Sequence, residues 1–80
     1  MSNYFYQFQE SCIIKTGKYN QQPGTFINFY SSAEKCAKEV RKSKPAASGM
    51  TWNKNSHKCR AEFGVAEIDR NFDFLRTCVF

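Results

Sequence analysis

The chain has 80 residues, of which 41% are apolar and 16% aromatic, and its formal net charge is +5. This length leaves room for a single domain over residues 1–80, and the aromatic content excludes a disordered chain. No run approaches the roughly 18 apolar residues that cross a bilayer, so we expect no membrane span. The first residues lack the features of a signal peptide, and we expect Met1 to begin a mature form whose leader has been removed.

The cysteines give the strongest signal in the sequence. Four of them are spread almost evenly along the chain, at Cys12, Cys36, Cys59 and Cys78, and no Cys-x-x-Cys pair occurs. An even number of widely spaced cysteines in so short a chain is typical of a disulfide framework. Disulfides persist in oxidising compartments. We therefore expect a secreted, extracellular protein, and a binding or structural module rather than an enzyme.

The first third of the chain predicts short strands. Tyr4–Phe8 and Cys12–Lys15 are β-like runs, Lys18–Gly24 is a turn region, and Thr25–Tyr30 is predicted as a further strand. The aromatic residues of the first run are dense enough to cover both of its faces. Packing within the molecule is the favoured explanation for this run, and contact of one face with a second subunit, which makes a homodimer a candidate assembly, is the alternative.

A helix is predicted between Ser31 and Pro45. Ser31 and Glu34 have the capping-box spacing, and Pro45 stops continuation of the helix. One helical face is apolar, and it consists of Ala33, Cys36, Ala37 and Val40. Basic residues complement the negative C-terminal end of the helix dipole.

The remaining chain predicts further strands. Ala46–Gly49 is a loop of small residues, while Met50–Asn53 and His57–Phe63 are strands joined by a turn. Residues 64–71 have no clear pattern, and Asp73–Phe80 is a last strand. Strands, one helix and then more strands predict an α+β fold, in which an antiparallel β-sheet is wrapped around a single α-helix.

Three motifs occur in order along this part of the chain: Ser-Ala-Glu-Lys-Cys-Ala at 32–37, Gly-Met-Thr-Trp-Asn at 49–53, and Lys-Cys at 58–59. Together they resemble the PAN/apple domain, and the resemblance covers roughly Cys12 to Cys78. In that family a cysteine-bearing helix is followed by a Gly-aromatic strand, a turn and a strand with the partner cysteine. Members are extracellular modules that bind proteins or carbohydrates and have no catalytic activity of their own.

The resemblance also implies a disulfide pairing, Cys12 with Cys78 and Cys36 with Cys59. The sequence departs from the fuller apple pattern at two positions. A second helix cysteine would fall at Val40 and its partner near Ser48, and both are missing together. Without that bridge, we expect the Ala46–Gly49 loop to be comparatively mobile.

A basic cluster is the candidate binding site. The helix bears Lys35, Lys38, Arg41 and Lys42, and the following turn and strand bear Lys54, Lys58 and Arg60. A Cys36–Cys59 bridge would place the two segments side by side, and their joint surface would bind a sulfated glycan or an acidic protein. Trp52 is a further candidate binding residue because its ring could stack on a sugar, although a core position is favoured for it. A solvated, non-functional basic face is the alternative.

Other functions are less well supported by the residues. Zinc sites favour ligands two to four residues apart, which these cysteines lack, so we expect no metal and no cofactor. His57 and Cys59 could lie together, but no third orienting group accompanies them. No nucleic-acid-binding motif is present. The alternative to a recognition module is a small basic secreted effector, such as a toxin, inhibitor or antimicrobial, that acts on proteins or membranes.

Overall fold

A computed structural model describes residues 12–80 of the protein. The predicted strand at Tyr4–Phe8, with its candidate subunit contact, lies outside the described residues. The elements in chain order are β1 (Lys15–Thr16), β2 (Thr25–Phe29), α1 (Ala33–Ser43), β3 (Gly49–Asn53), β4 (Lys58–Glu62) and β5 (Leu75–Val79). Over this part of the chain no helix is long and apolar enough to cross a membrane.

The five strands form one antiparallel sheet in the order β1-β5-β3-β4-β2. β3 is therefore the central strand, and β2 is an edge strand with a bulge between Phe26 and Asn28. The turn from β3 to β4 is closed by the Asn53 side chain, which accepts hydrogen bonds from the amides of Asn55 and Ser56 at 2.8 and 3.0 Å. His57 completes this turn in a left-handed conformation, with φ of 69°.

Helix α1 begins one residue later than the capping-box pattern predicts. Ser32, not Ser31, is the N-cap, because its hydroxyl oxygen accepts a hydrogen bond from the Lys35 amide at 3.1 Å. This oxygen satisfies one of the donors that the first turn leaves unpaired. At the other end, the Lys44 amide donates to the Val40 carbonyl and Pro45 follows, so the predicted end of the helix is confirmed.

Substitution of Ser32 by alanine should lower the free energy of unfolding by about 1 kcal/mol, because the cap acceptor is lost. Ser31→Ala is the matched control. It removes the same hydroxyl one residue outside the cap, and we expect a much smaller change. Urea unfolding followed by circular dichroism measures both variants. Equal losses in the two would contradict the assignment of the cap to Ser32.

The apolar face of α1 packs on one face of the sheet. Alternation along the strands brings Met50 and Trp52 of β3, Cys59 and Ala61 of β4, and Cys78 of β5 against the helix. The helix contributes Ala33, Cys36, Ala37 and Val40, which are buried as the periodicity predicts. An α+β chain with an antiparallel sheet is thus confirmed. Wrapping of the sheet around the helix is not confirmed, since α1 lies on one face.

Two disulfides hold this arrangement, and both pairings implied by the resemblance are present. Cys36 of α1 bonds to Cys59 of β4 with 5.5 Å between their Cα atoms, and neither residue is exposed to solvent. Cys12, ahead of β1, bonds to Cys78 of β5 with 5.8 Å between Cα atoms. The first bond fastens the helix to the sheet, and the second closes most of the described chain into one loop.

The loop after α1 is fastened by hydrogen bonds at the position where the fuller apple pattern has a cysteine. The Ser48 amide donates to the Glu62 carbonyl at 2.8 Å, and the Ser48 carbonyl accepts from the Phe80 amide at 2.9 Å. Its hydroxyl lies 2.8 Å from the Tyr19 hydroxyl and donates to the Gly64 carbonyl at 2.7 Å. Ser48 therefore joins the loop to three other segments, while the mobility of Ala46–Gly49 stays a prediction.

Candidate ligand-binding site

The two halves of the predicted basic cluster lie on opposite faces of the sheet. Cys59 points to α1, and successive strand residues alternate between faces. Lys58 and Arg60 therefore point away from the helix. The Cys36–Cys59 bridge brings the backbones of α1 and β4 together, but the expected joint basic surface does not form. We call the sheet face covered by α1 the helix face, and the other one the open face.

Loop segments cover part of the open face. The Tyr19 side chain lies on Gly49 of β3 and is only 1% exposed, although it carries a hydroxyl group. That hydroxyl is satisfied by Ser48 at 2.8 Å and by the Gly64 carbonyl at 3.3 Å. Ile68 approaches Gly17 from the segment between β4 and β5, and the amide of Lys18 donates to the Asp69 carbonyl at 2.9 Å. The two loops thus pack on each other and leave the area over β3 and β4 uncovered.

This uncovered area is a cleft of about 310 Å³, which we call the open-face cleft. Its lining combines cationic, hydroxyl, amide and carboxyl side chains with Pro23 and Leu75. The polar lining residues are Lys18, Asn20, Thr51, Asn53, Ser56, Lys58, Arg60 and Glu62. Strands β3 and β4 supply its floor, and the segment before β2 supplies one wall. A larger depression of about 670 Å³ adjoins it, but only loop residues line that depression.

Three cations reach the cleft from two different segments. Arg60 is positioned by its guanidinium, which donates from Nη1 to the Gly24 carbonyl at 3.0 Å. The Lys18 ammonium lies 4.9 Å from the centre of the Phe72 ring, within range of a cation–π interaction. Lys58 is exposed at the start of β4, two residues before Arg60. A cleft with three positive side chains attracts anionic groups from solution.

Glu62 is the carboxyl group of the cleft floor and is only 4% exposed. The Thr51 hydroxyl donates to its Oε2 at 2.8 Å, and the Gly24 amide also donates to it. Burial raises the pKa of Glu62 above its ordinary value of 4.5, because desolvation outweighs these hydrogen bonds and the nearby Arg60 and Lys18. Its contacts with Gly24 fasten the wall of the cleft to the sheet.

The raised pKa of Glu62 predicts an unusual pH dependence. The folded state binds the proton more tightly than the unfolded chain, so this residue contributes stability below pH 4.5 and loses that contribution as the pH rises through its folded pKa. Relative to Glu62→Gln, the wild-type free energy of unfolding should therefore rise on acidification from neutral pH. Urea titrations of both proteins across this range provide the measurement. Parallel pH profiles, or a relative loss in acid, would refute a raised pKa.

Two exposed rings flank the cleft on edge strand β2. The register pairs Phe26 with Arg60 and Phe29 with Lys58, so each ring stands beside a cation on the open face. Phe26 is 44% exposed and Phe29 is 54% exposed, with 5.3 Å between their ring centres. Sequence reasoning predicted the strand but did not nominate these rings. Ile27 packs towards the core, and strict alternation would place Phe29 on its side; only the bulge between Phe26 and Asn28 brings both rings to the open face, so the sequence pattern carries no signal for the pair.

Trp52 lies in the core instead of on a binding surface. Only 9% of it is exposed, and its Nε1 donates to the Tyr30 carbonyl at 2.9 Å. The His57 ring stacks over it at 5.4 Å between centres. In this conformation the indole face is occupied, so the favoured core position agrees with the structure. The exposed rings of Phe26 and Phe29 lie beside Arg60 and Lys58 instead.

The other nominated residues are distributed over the far side of the molecule and the β3–β4 turn. Lys35, Lys38 and Lys42 are exposed on α1, away from the sheet, and Lys54 is exposed in the turn. Arg41 is half-buried, with its guanidinium carbon 4.3 Å from the centre of the Phe80 ring. Of the seven predicted basic residues, the open-face cleft contains only Lys58 and Arg60. Lys18 was not nominated.

The described residues contain neither a free thiol nor a metal-ligand cluster. All cysteines of residues 12–80 are in disulfides, which removes Cys59 as a partner for His57. Within the same range no three His, Cys, Asp or Glu side chains are grouped so that they could hold a metal ion.

The chain matches no protein-family model, and searches of curated proteins and of solved structures give no match. Similarity to the PAN/apple family accordingly stays a prediction.

Proposed function

We propose that the protein is a secreted, non-enzymatic recognition module that binds an acidic glycan, such as a sulfated saccharide, in the open-face cleft. The observation that carries this proposal is the convergence of Lys18, Lys58 and Arg60 on one cleft lined with neutral polar side chains. Secretion is supported by the two disulfides, which persist in oxidising compartments. The PAN/apple resemblance favours the same class of module.

The size and lining of the cleft fit a saccharide unit. Its volume of about 310 Å³ lies at the lower end of the range of small-molecule sites, roughly 300–1,000 Å³. Hydroxyl and amide groups of Thr51, Asn53 and Ser56 can exchange hydrogen bonds with sugar hydroxyls. A sugar also has apolar C–H faces, and the exposed Phe26 and Phe29 rings provide apolar surface for them.

The charges favour an acidic saccharide over a neutral one. Arginine and lysine bind sulfate and carboxylate groups through charge-assisted hydrogen bonds. Glu62 offsets little of this attraction, since it is buried and already bonded to Thr51 and Gly24. An anion entering the cleft therefore meets the exposed Lys58 and the half-buried Lys18 and Arg60.

Binding of a heparin tetrasaccharide, measured by isothermal titration calorimetry, tests the proposal. Lys58→Gln should weaken binding by about tenfold, as expected for loss of one charged hydrogen bond at the lower end of its range. Lys54→Gln is the matched control, because it removes the same charge from an exposed turn residue outside the cleft. Its affinity should stay close to that of the wild type.

Two results would count against a glycan-binding cleft. Equal weakening by both substitutions would indicate non-specific attraction by net charge. Absence of binding together with leakage of anionic vesicles would favour the membrane-active effector instead. A recognition module should leave such vesicles intact.

A further inference from the structure

We infer that the outer side of α1 is a second, independent binding surface for acidic glycans, so that one molecule bridges two glycan chains. The surface consists of Lys35, Lys38 and Lys42, which we call the helix stripe. This inference rests on the proposed function of the open-face cleft. The inference follows from the structure because the helix lysines and the β4 cations, which the sequence predicts to share one surface, lie on opposite sides of the molecule.

The helix stripe is a continuous row. Residues at i, i+3 and i+7 lie on one side of an α-helix, and Lys35, Lys38 and Lys42 have this spacing. All three are exposed, whereas Cys36, Ala37 and Val40 fill the side that meets the sheet. Glu34 and Glu39 flank the stripe, and Arg41 is half-buried against Phe80, so the three exposed lysines leave this side of the helix only slightly positive.

The fold keeps the two surfaces apart. The helix stripe faces solvent beyond α1, and the open-face cleft faces solvent beyond β3 and β4, so a helix layer and a sheet layer lie between them. Each such layer is about 10 Å thick. The distance between the two surfaces therefore exceeds the Debye length, which is about 8 Å at physiological ionic strength. A polyanion bound on one side therefore leaves the attraction on the other side largely unchanged.

The disulfide between the layers makes the geometry rigid. Cys36 lies on α1 directly beneath the stripe, and Cys59 lies between Lys58 and Arg60 on β4. The bond between them fixes the spacing of the α1 and β4 backbones that carry the two basic groups. Two rigidly opposed cationic surfaces favour linking of separate chains over wrapping by one chain, and linking of long chains at several points increases avidity.

Stoichiometry with a short ligand tests the inference. We expect two heparin tetrasaccharides to bind per wild-type molecule in calorimetry, and long heparin to become turbid near charge equivalence. The variant K35Q/K38Q/K42Q should bind one tetrasaccharide and lose the turbidity. The variant K18Q/K58Q should also bind only one, since it removes cleft cations. The control K15Q/K54Q/R70Q removes three charges elsewhere, and it should keep both sites and the turbidity.

The outcomes separate this inference from the proposed function. One tetrasaccharide per wild-type molecule, lost in K18Q/K58Q and kept in K35Q/K38Q/K42Q, would overturn bridging and leave the cleft proposal intact. If the wild type binds one tetrasaccharide and only K35Q/K38Q/K42Q loses it, both bridging and the cleft proposal would be overturned. Thermal unfolding of each variant shows whether it is folded, so that a lost site is assigned to the missing charges.

Discussion

Replacement of Cys36 and Cys59 together by alanine is expected to lower the free energy of unfolding by about 3–5 kcal/mol. The bond spans 23 residues, and a loop of that size accounts for about 3 kcal/mol in the chain-entropy model. Both residues are fully buried between α1 and the sheet, so their truncation also removes packing. The total stability of a domain this small is about 4–12 kcal/mol, so the loss should be a large fraction of it.

Cys12→Ala with Cys78→Ala is the comparison for that experiment. Its bond spans 66 residues, and the entropy model assigns it about 4 kcal/mol. It joins the chain ahead of β1 to β5 and does not involve the helix. We expect folded molecules of this variant to keep the near-ultraviolet circular dichroism of the buried Trp52, while the Cys36–Cys59 variant weakens it. A loss below about 1 kcal/mol in both would contradict the role assigned to the disulfides.

Gly49→Ala should cost about 2–3 kcal/mol, because the open face of β3 has no room for a side chain there. A β-carbon at Gly49 would overlap the Tyr19 ring and the Cys78 carbonyl oxygen. The carbonyl belongs to the sheet backbone and cannot move away cheaply. Displacement of Tyr19 would break its bonds to Ser48 and Gly64. Urea unfolding monitored by tryptophan fluorescence measures the loss.

Gly64→Ala is the matched control for this substitution. Its β-carbon would meet no atom within 4 Å, so the only cost is the left-handed backbone, with φ of 84°. That conformation costs a non-glycine residue about 1–2 kcal/mol. Gly49→Ala should therefore destabilise by an overlap mechanism and Gly64→Ala by backbone strain alone. A Gly49→Ala protein as stable as the wild type would show that Tyr19 does not pack as described.

Local patterns in the sequence were sufficient to predict the helix and the strands that pack together on the helix face. The apolar periodicity of Ala33, Cys36 and Val40 identifies α1, and the turn residues between β3 and β4 identify them as two joined strands. The N-cap was misplaced by one residue, because Ser31 and Ser32 are both competent caps and only backbone geometry distinguishes them. The loop residues around Tyr19 carry no periodic signal, and their position depends on tertiary contacts with Gly49 and Ser48.

The candidate site was only partly predictable for a different reason. The basic residues were grouped by the elements that a disulfide joins, whereas strand alternation decides which face each residue occupies. Once Cys59 faces α1, Lys58 and Arg60 must face away from it. The contribution of Lys18 could not be deduced in the same way, since it depends on how the segment before β2 folds back over the sheet. The burial of Glu62 depends on the same segment, because Gly24 lies against its side chain.

Recognition of an acidic glycan in the open-face cleft can be tested by mapping the bound glycan on the folded, oxidised protein with nuclear magnetic resonance. In a titration with heparin tetrasaccharide, we expect the largest amide shifts in the open-face cleft, at Lys58, Arg60 and the neighbouring Thr51. A second set is predicted along the helix stripe. Shifts confined to residues outside the cleft, or no shifts at near-physiological salt, would contradict the claim that this sheet face is the recognition site.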